Sequence, residues 1–274
     1  MAAWREAGRH LELTGKPRWF HPHSPPKGNT MNRKLTAIAL VTAALLTNVG
    51  FTALGSIFNY PDVLKEPSGV VLNRFRDHQS SVSMWFAILA ASAALFGPIA
   101  VGIGKLRTDR WMRLAVPTGI AAAVVQTIGL SRWPLLVPGF VSDAARATAT
   151  TAADAESHFH TANVILGTVI GETFGYLLTA AWTVLVVTSL GNRFAGRIFE
   201  VLGTVSSAMI FVGVFSPLGK AVIDTVNFAG YVLWSVWLIW LAVAVVREGR
   251  TSATMPDARP AVHNPAADSR AAAR

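Results

Sequence analysis

Residues 158–190 read HFHTANVILGTVIGETFGYLLTAAWTVLVVTSL. A run this long and apolar cannot be covered by an ordinary soluble core. It matches a helix crossing a bilayer, which takes about 20 apolar residues. One acid, Glu172, lies inside it. An ionisable side chain at that depth is costly unless it faces protein, water or a partner. Gly167, Gly171 and Gly175 recur at four-residue spacing beside it. Small residues so spaced share a helix face and let a second backbone approach closely. The stretch therefore demands a neighbouring helix, and its acid demands company.

Five further runs carry the same signal, at 35–58, 83–104, 114–130, 198–217 and 228–246. The whole chain is 52% hydrophobic and only 14% charged, against about 25% charge in soluble domains. The expected fold is all-α, a polytopic membrane protein built as a bundle of six transmembrane helices. The six-helix domain is expected over 31–250, with a disordered basic lead at 1–30 and a disordered tail at 251–274. Met31, followed by Asn-Arg-Lys, offers an alternative start.

Cysteine is absent, which excludes disulfides and thiolate chemistry. The formal net charge is +9. Of the 24 Lys and Arg residues, 18 fall on one side of a six-span arrangement. They sit before the first span, at Lys105, Arg107, Arg110 and Arg113, at Arg193 and Arg197, and in the tail. That asymmetry points to the cytoplasmic side for both termini. It also explains the charge without nucleic acid; the bilayer is the partner implied.

On the outer side, Val63, Leu64, Val70, Val71, Leu72 and Phe75 make a partly amphipathic stretch, expected along the membrane surface. Pro98 is expected to kink the second span, and Pro134 and Pro138 to break the helix after the third. Residues 141–157, rich in Ala and Thr, are expected to form an outer loop. Lys220 and Asp224 are placed in a short outer connection.

Depth can be counted. Arg132 lies 19 residues from Arg113, about 28 Å of helix. Glu172 lies 21 residues from Arg193, roughly 31 Å by the same rise. Across a core of about 30 Å, both reach the outer edge at similar height. Two readings follow. Arg132 and Glu172 form an ion pair pinning the third and fourth spans. Or, with Trp133, Trp85 and Tyr231 as aromatic walls, they line an outward-facing polar pocket for a small or lipid-like ligand. The glycine ladder is expected to be a packing face.

His158 and His160 lie near Asp154 and Glu156, a chemistry that divalent ions favour. Alternating histidines diverge on a helix, however, and no HExxH pattern is present. No metal or other cofactor is therefore implied. Phosphate-cradling and dinucleotide fingerprints are absent too.

Tyr60-Pro61-Asp62 with Leu64, the turn from Gly129 through Arg132-Trp133-Pro134 with Pro138, and Gly171-Glu172 with Gly175 and Trp182 together resemble DUF4386, a bacterial family of unknown function. The resemblance covers 34–247. It implies a multi-pass membrane protein and supplies no activity. Three functions stay open: a non-enzymatic binder or sensor of a small or lipid-like molecule, a secondary transporter with Glu172 as titrating group, and an intramembrane enzyme using His158, His160 and Glu172. The oligomeric state stays open as well.

Overall fold

The structure, a computed structural model, describes residues 28–145 and 149–254. The expected lead and tail lie mostly outside them. Helix α1 already begins within the lead (Gly28–Phe58), and α10 runs into the tail (Ala221–Thr254). Between them come α2 (Ser68–Asp77), α3 (Gln79–Gly104), α4 (Arg110–Leu135), α5 (Val137–Ala145) and α6 (Ala149–Ala162). A π-helix (Asn163–Phe174) follows, then α7 (Gly175–Leu190), α8 (Asn192–Ala195) and α9 (Arg197–Val212). No strand occurs among the described residues.

Six helices are long and apolar enough to cross a membrane: Asn32–Phe58, Gln79–Gly104, Arg110–Ala145, Ala152–Leu190, Arg197–Leu218 and Ala221–Gly249. Helices suit this solvent because each satisfies its own backbone hydrogen bonds. Every span packs on the next, and the sixth returns to the first, through α1–α3, α3–α4, α4–α7, α7–α9, α9–α10 and α1–α10. The bundle is thus a closed ring in chain order. Trp182 fills its middle, against Phe96, Trp234 and Trp237 at 4.6, 6.4 and 5.9 Å. Gly119 gives it room: a methyl there would meet the indole at 2.7 Å.

The described residues of 141–157 are helical rather than a loop. Leu136 alone interrupts the helix after α4, and α5 and α6 carry the chain through all the described residues that follow. Pro134 sits inside α4. Pro138 sits in the first turn of α5, where its missing N–H costs nothing. Asp224 belongs to the first turn of α10 rather than to a connection. The amphipathic stretch forms a short 3-10 turn (Asp62–Lys65) and α2. Its Val63, Val71, Leu72 and Phe75 are buried against the protein's own aromatic residues instead of lipid. Among them Phe75 stacks on Trp133, with centroids 5.9 Å apart. The turn is also tied down by Lys65, which reaches Asp62 at 2.8 Å and Asp224 at 3.4 Å.

At the opposite end, Asp109 caps α4. Its Oδ1 accepts from the backbone N–H of Trp111 and Met112 at 2.8 and 3.0 Å, and its Oδ2 from the Ser189 hydroxyl at 2.6 Å. The Ser189 bond, then the Met112 N–H, holds this carboxyl below its ordinary range. A lowered folded-state pKa contributes stability above the unfolded value and loses it as pH falls through the folded one. Asp109→Ala is expected to cost about 0.5–2 kcal/mol. Unfolding at neutral pH and well below the ordinary aspartate value of about 3.9 in one micelle system checks it: the gap between variant and parent should close only there. An equal gap at both pH values would leave the carboxylate without the role given it.

Candidate functional site

The centre of interest is the contact between the third and fourth spans, and glycine sets its geometry. Three pairs face each other along antiparallel helices. A methyl on Gly175 would meet Gln126 at 3.0 Å, one on Gly171 would meet the Gly129 Cα at 3.0 Å, and one on Gly167 would meet the Arg132 guanidinium at 2.7 Å. The ladder thus brings two backbones together at its middle rung and leaves a slot for a cation at its outer rung.

Arg132 fills that slot and is buried. One guanidinium nitrogen donates to the Gly129 carbonyl, and Nη2 donates to Asn163 Oδ1 at 2.9 Å. Its plane lies 5.3 Å from the Trp133 ring, within the reach of a cation–π contact. Nε is sealed with no partner. The direct Arg132–Glu172 ion pair expected from the sequence is not formed: among the described residues no acid lies within 4.0 Å of Arg132. The reason is local. With no side chain on Gly167, the guanidinium fits against the fourth span there and reaches Asn163, five and nine residues before the acid.

Glu172 stands on the π-helix, whose wider turn shows in the Thr173 hydroxyl donating to the Thr168 carbonyl five residues back, at 2.9 Å. Such segments are rare and recur at functional positions. The carboxylate is half-buried and makes no hydrogen bond or ion pair among the described residues. Neither oxygen is among the sealed polar atoms that lack a partner, so the group borders open space. It lies within electrostatic reach of Arg132 and Asp224. All three tyrosines of the chain, Tyr60, Tyr176 and Tyr231, also feel its charge.

Around it the polar groups are tied to backbone and to each other. Gln126 donates to the Thr179 hydroxyl at 2.6 Å, and the Tyr231 hydroxyl lies beside the same threonine. Tyr176 and Tyr231 pack with centroids 5.8 Å apart. Asn227 donates to the Ile210 carbonyl at 2.9 Å, under Gly213, where a methyl would collide with it. Tyr60 follows the first span and lies next to the guanidinium. Burial pushes its hydroxyl up to about 12, Glu172 adding to the rise and Arg132 opposing it, so it is a proton donor at neutral pH.

The remaining expected residues separate from this centre. Trp133 is fully buried in an aromatic cluster with Phe58, Phe75, Phe86 and Phe159, stacking on Phe86 at 4.8 Å and 8°. It is core, with Arg132 laid on its face. Trp85 is half-buried at the rim of the same cluster. His158 and His160 are exposed on either side of the buried Phe159. No group of three His, Asp or Glu side chains among the described residues is arranged to hold a metal. An open cavity of about 820 Å³ lies at the other end of the bundle, lined by Arg107, Arg193 and Trp240 among others, and by none of the residues expected to form a site.

Tyr176, Asn163 and the Gln126–Thr179 pair were not singled out from the sequence. Tyr176 could have been, since it stands four residues after Glu172 on an apolar span. Asn163 precedes Gly167 by the same interval.

Six apolar helices in a ring, with a polar centre between the third and fourth, define a multi-pass membrane protein of all-helical fold. The chain belongs to the DUF4386 family, a domain of unknown function, with the match covering residues 35–242. No curated protein and no solved structure matches it.

Proposed function

We propose that this protein is a non-enzymatic binder or sensor in the bacterial inner membrane, both termini cytoplasmic, that takes a small polar ligand at Glu172. The observation that carries the reading is a half-buried carboxylate without a hydrogen-bond partner among the described residues, with three tyrosines within reach of its charge. Leaving a carboxylate unpaired at this depth costs free energy. A ligand that donates hydrogen bonds or carries positive charge offsets that cost. Aromatic rings beside a carboxylate suit an amine or other organic cation, whose charge the carboxylate meets and whose alkyl groups the rings cover. Arg132 then sets polarity at one end, repelling cations there and accepting an anionic group if the ligand is zwitterionic.

Glu172→Gln removes the charge and keeps the shape. A panel of small amines, quaternary ammonium ions and zwitterions, scored by thermal shift in lipid nanodiscs, is expected to raise the melting temperature of the parent for at least one class. The Glu172→Gln protein should fold and give no shift. A panel that stabilises both proteins equally, or neither, removes the reading.

The transporter reading draws on one further feature. A π-helix can return to α geometry by shifting one hydrogen-bond register, which gives Glu172 two backbone settings. Proton flux into proteoliposomes, present in the parent and lost in Glu172→Gln, distinguishes it from simple binding. The enzymatic reading gains no geometry, because His158 and His160 face away from Glu172's surroundings.

A further inference from the structure

The cavity of about 820 Å³ at the end opposite Glu172 is half basic and half apolar. Arg107, Arg193 and Arg247 line it against a single acid, Glu248. Arg107 meets Glu248 at 3.0 Å, and Arg33 comes within 4.0 Å of the same carboxylate. Among the described residues that line the rim, arginine outnumbers acid. Arg193 is exposed and makes no hydrogen bond or ion pair among the described residues. It projects from α8, a four-residue helix held between Gly191 (φ 63°) and Gly196 (φ 89°). Those left-handed turns are where glycine is favoured, and they set α8 across the end of the bundle.

The remaining wall runs along α10. Val236, Ile239, Trp240, Val243 and Ala244 follow one face up to Arg247. Val236, Ile239 and Val243 are exposed at 50%, 38% and 45%, so this wall opens outward from the bundle. From Val236 to Arg247 is 11 residues, about 16 Å of helix rise. That is close to half of a hydrocarbon core of about 30 Å, the depth of one leaflet. A free phosphate would use only the arginines; the length and polarity of the groove match a molecule with an anionic head and an acyl chain.

We propose that this groove binds one anionic phospholipid, its headgroup phosphate between Arg107 and Arg193 and its chain along Val236–Val243 on α10. Basic pockets between spans on the cytoplasmic side are suited to such headgroups, and this is the cytoplasmic end on the orientation proposed above. The site shares no residue with the Glu172 centre, so each stands or falls alone.

Native mass spectrometry from a neutral detergent tests it, titrating phosphatidylglycerol, phosphatidylcholine and glycerol 1-phosphate in turn. The parent should retain one phosphatidylglycerol per chain in preference to phosphatidylcholine. Arg193→Gln should weaken that adduct several-fold, and Arg107→Gln with Arg193→Gln about tenfold or more. Because Arg107 also holds Glu248, the single Arg193→Gln variant keeps the test valid if the double variant is unstable. Equal retention of the two lipids, an Arg193→Gln protein that binds phosphatidylglycerol like the parent, or glycerol phosphate displacing the lipid at equal concentration would each overturn the proposal.

Discussion

Trp133→Ala is expected to destabilise the protein by about 3–5 kcal/mol, the range for deleting a large aromatic side chain from a packed core. The ring is fully buried. It touches Phe58 at the end of α1, Phe75 of α2, Phe86 of α3 and Phe159 of α6, with centroids between 4.8 and 6.0 Å. No single neighbour can move into the void, because each belongs to a different element already fixed by its own packing. Lipid cannot fill it either, since the surrounding rings close it off. The loss should spread to function, because the Arg132 guanidinium rests on this ring.

Two companions make the result interpretable. Trp133→Phe gives up part of the ring contact but removes an indole N–H that is buried without a partner. A sealed donor costs about 1–3 kcal/mol, so the phenylalanine variant should stay close to the parent. Trp111→Ala removes an indole that is 36% exposed and touched by Arg110 at 4.5 Å; its loss should stay below about 1 kcal/mol. Unfolding of the three variants by SDS titration in mixed micelles gives the order. If Trp133→Ala fell no further than Trp111→Ala, the aromatic cluster would not hold the ends of the first four spans that meet at Trp133.

Much of the architecture was legible because hydrocarbon imposes one rule on every span. Long apolar runs had to be helices, and their number and order followed from length alone. Four features escaped. The described helices α5 and α6 are short, and α6 is rich in Ala and Thr, so their few apolar residues, Val137, Phe140, Val141 and Phe159, make sense only once they are seen in one cluster with Trp133. The surface setting of α2 was inferred from its amphipathic pattern, but a pattern does not say whether protein or lipid covers the apolar face. The π-helix has no sequence rule, since every residue in it also suits an α-helix. The depth count did bring Arg132 and Glu172 to one end of the bundle. It could not supply rotation about the helix axis, and rotation is what hands Arg132 to Asn163 instead of to the acid.

Gly129→Ala and Gly139→Ala, the same chemical change ten residues apart in the third span, are expected to move stability in opposite directions. At Gly139, within α5, an added methyl meets nothing within 4 Å. There alanine removes glycine's excess conformational freedom in a helix, a gain of roughly 0.5–1 kcal/mol. At Gly129 the methyl would lie 2.6 Å from the Gly171 Cα and 3.0 Å from the Leu166 carbonyl. Both obstacles are backbone, so no rotamer change relieves them, and the third and fourth spans must part. Overpacking of this kind costs about 1–3 kcal/mol, and the propensity gain offsets only part of it. Separation also draws Arg132 away from Asn163, since the Gly129 carbonyl is its other partner. The Gly129→Ala protein should therefore lose ligand response at Glu172 along with stability, while Gly139→Ala keeps both. Melting temperatures of the two variants in one nanodisc composition decide the matter. Equal shifts of one sign would mean that the close approach at Gly129 and Gly171 does not govern how the two spans meet, and the placement of Arg132 beside Asn163 would then need another cause.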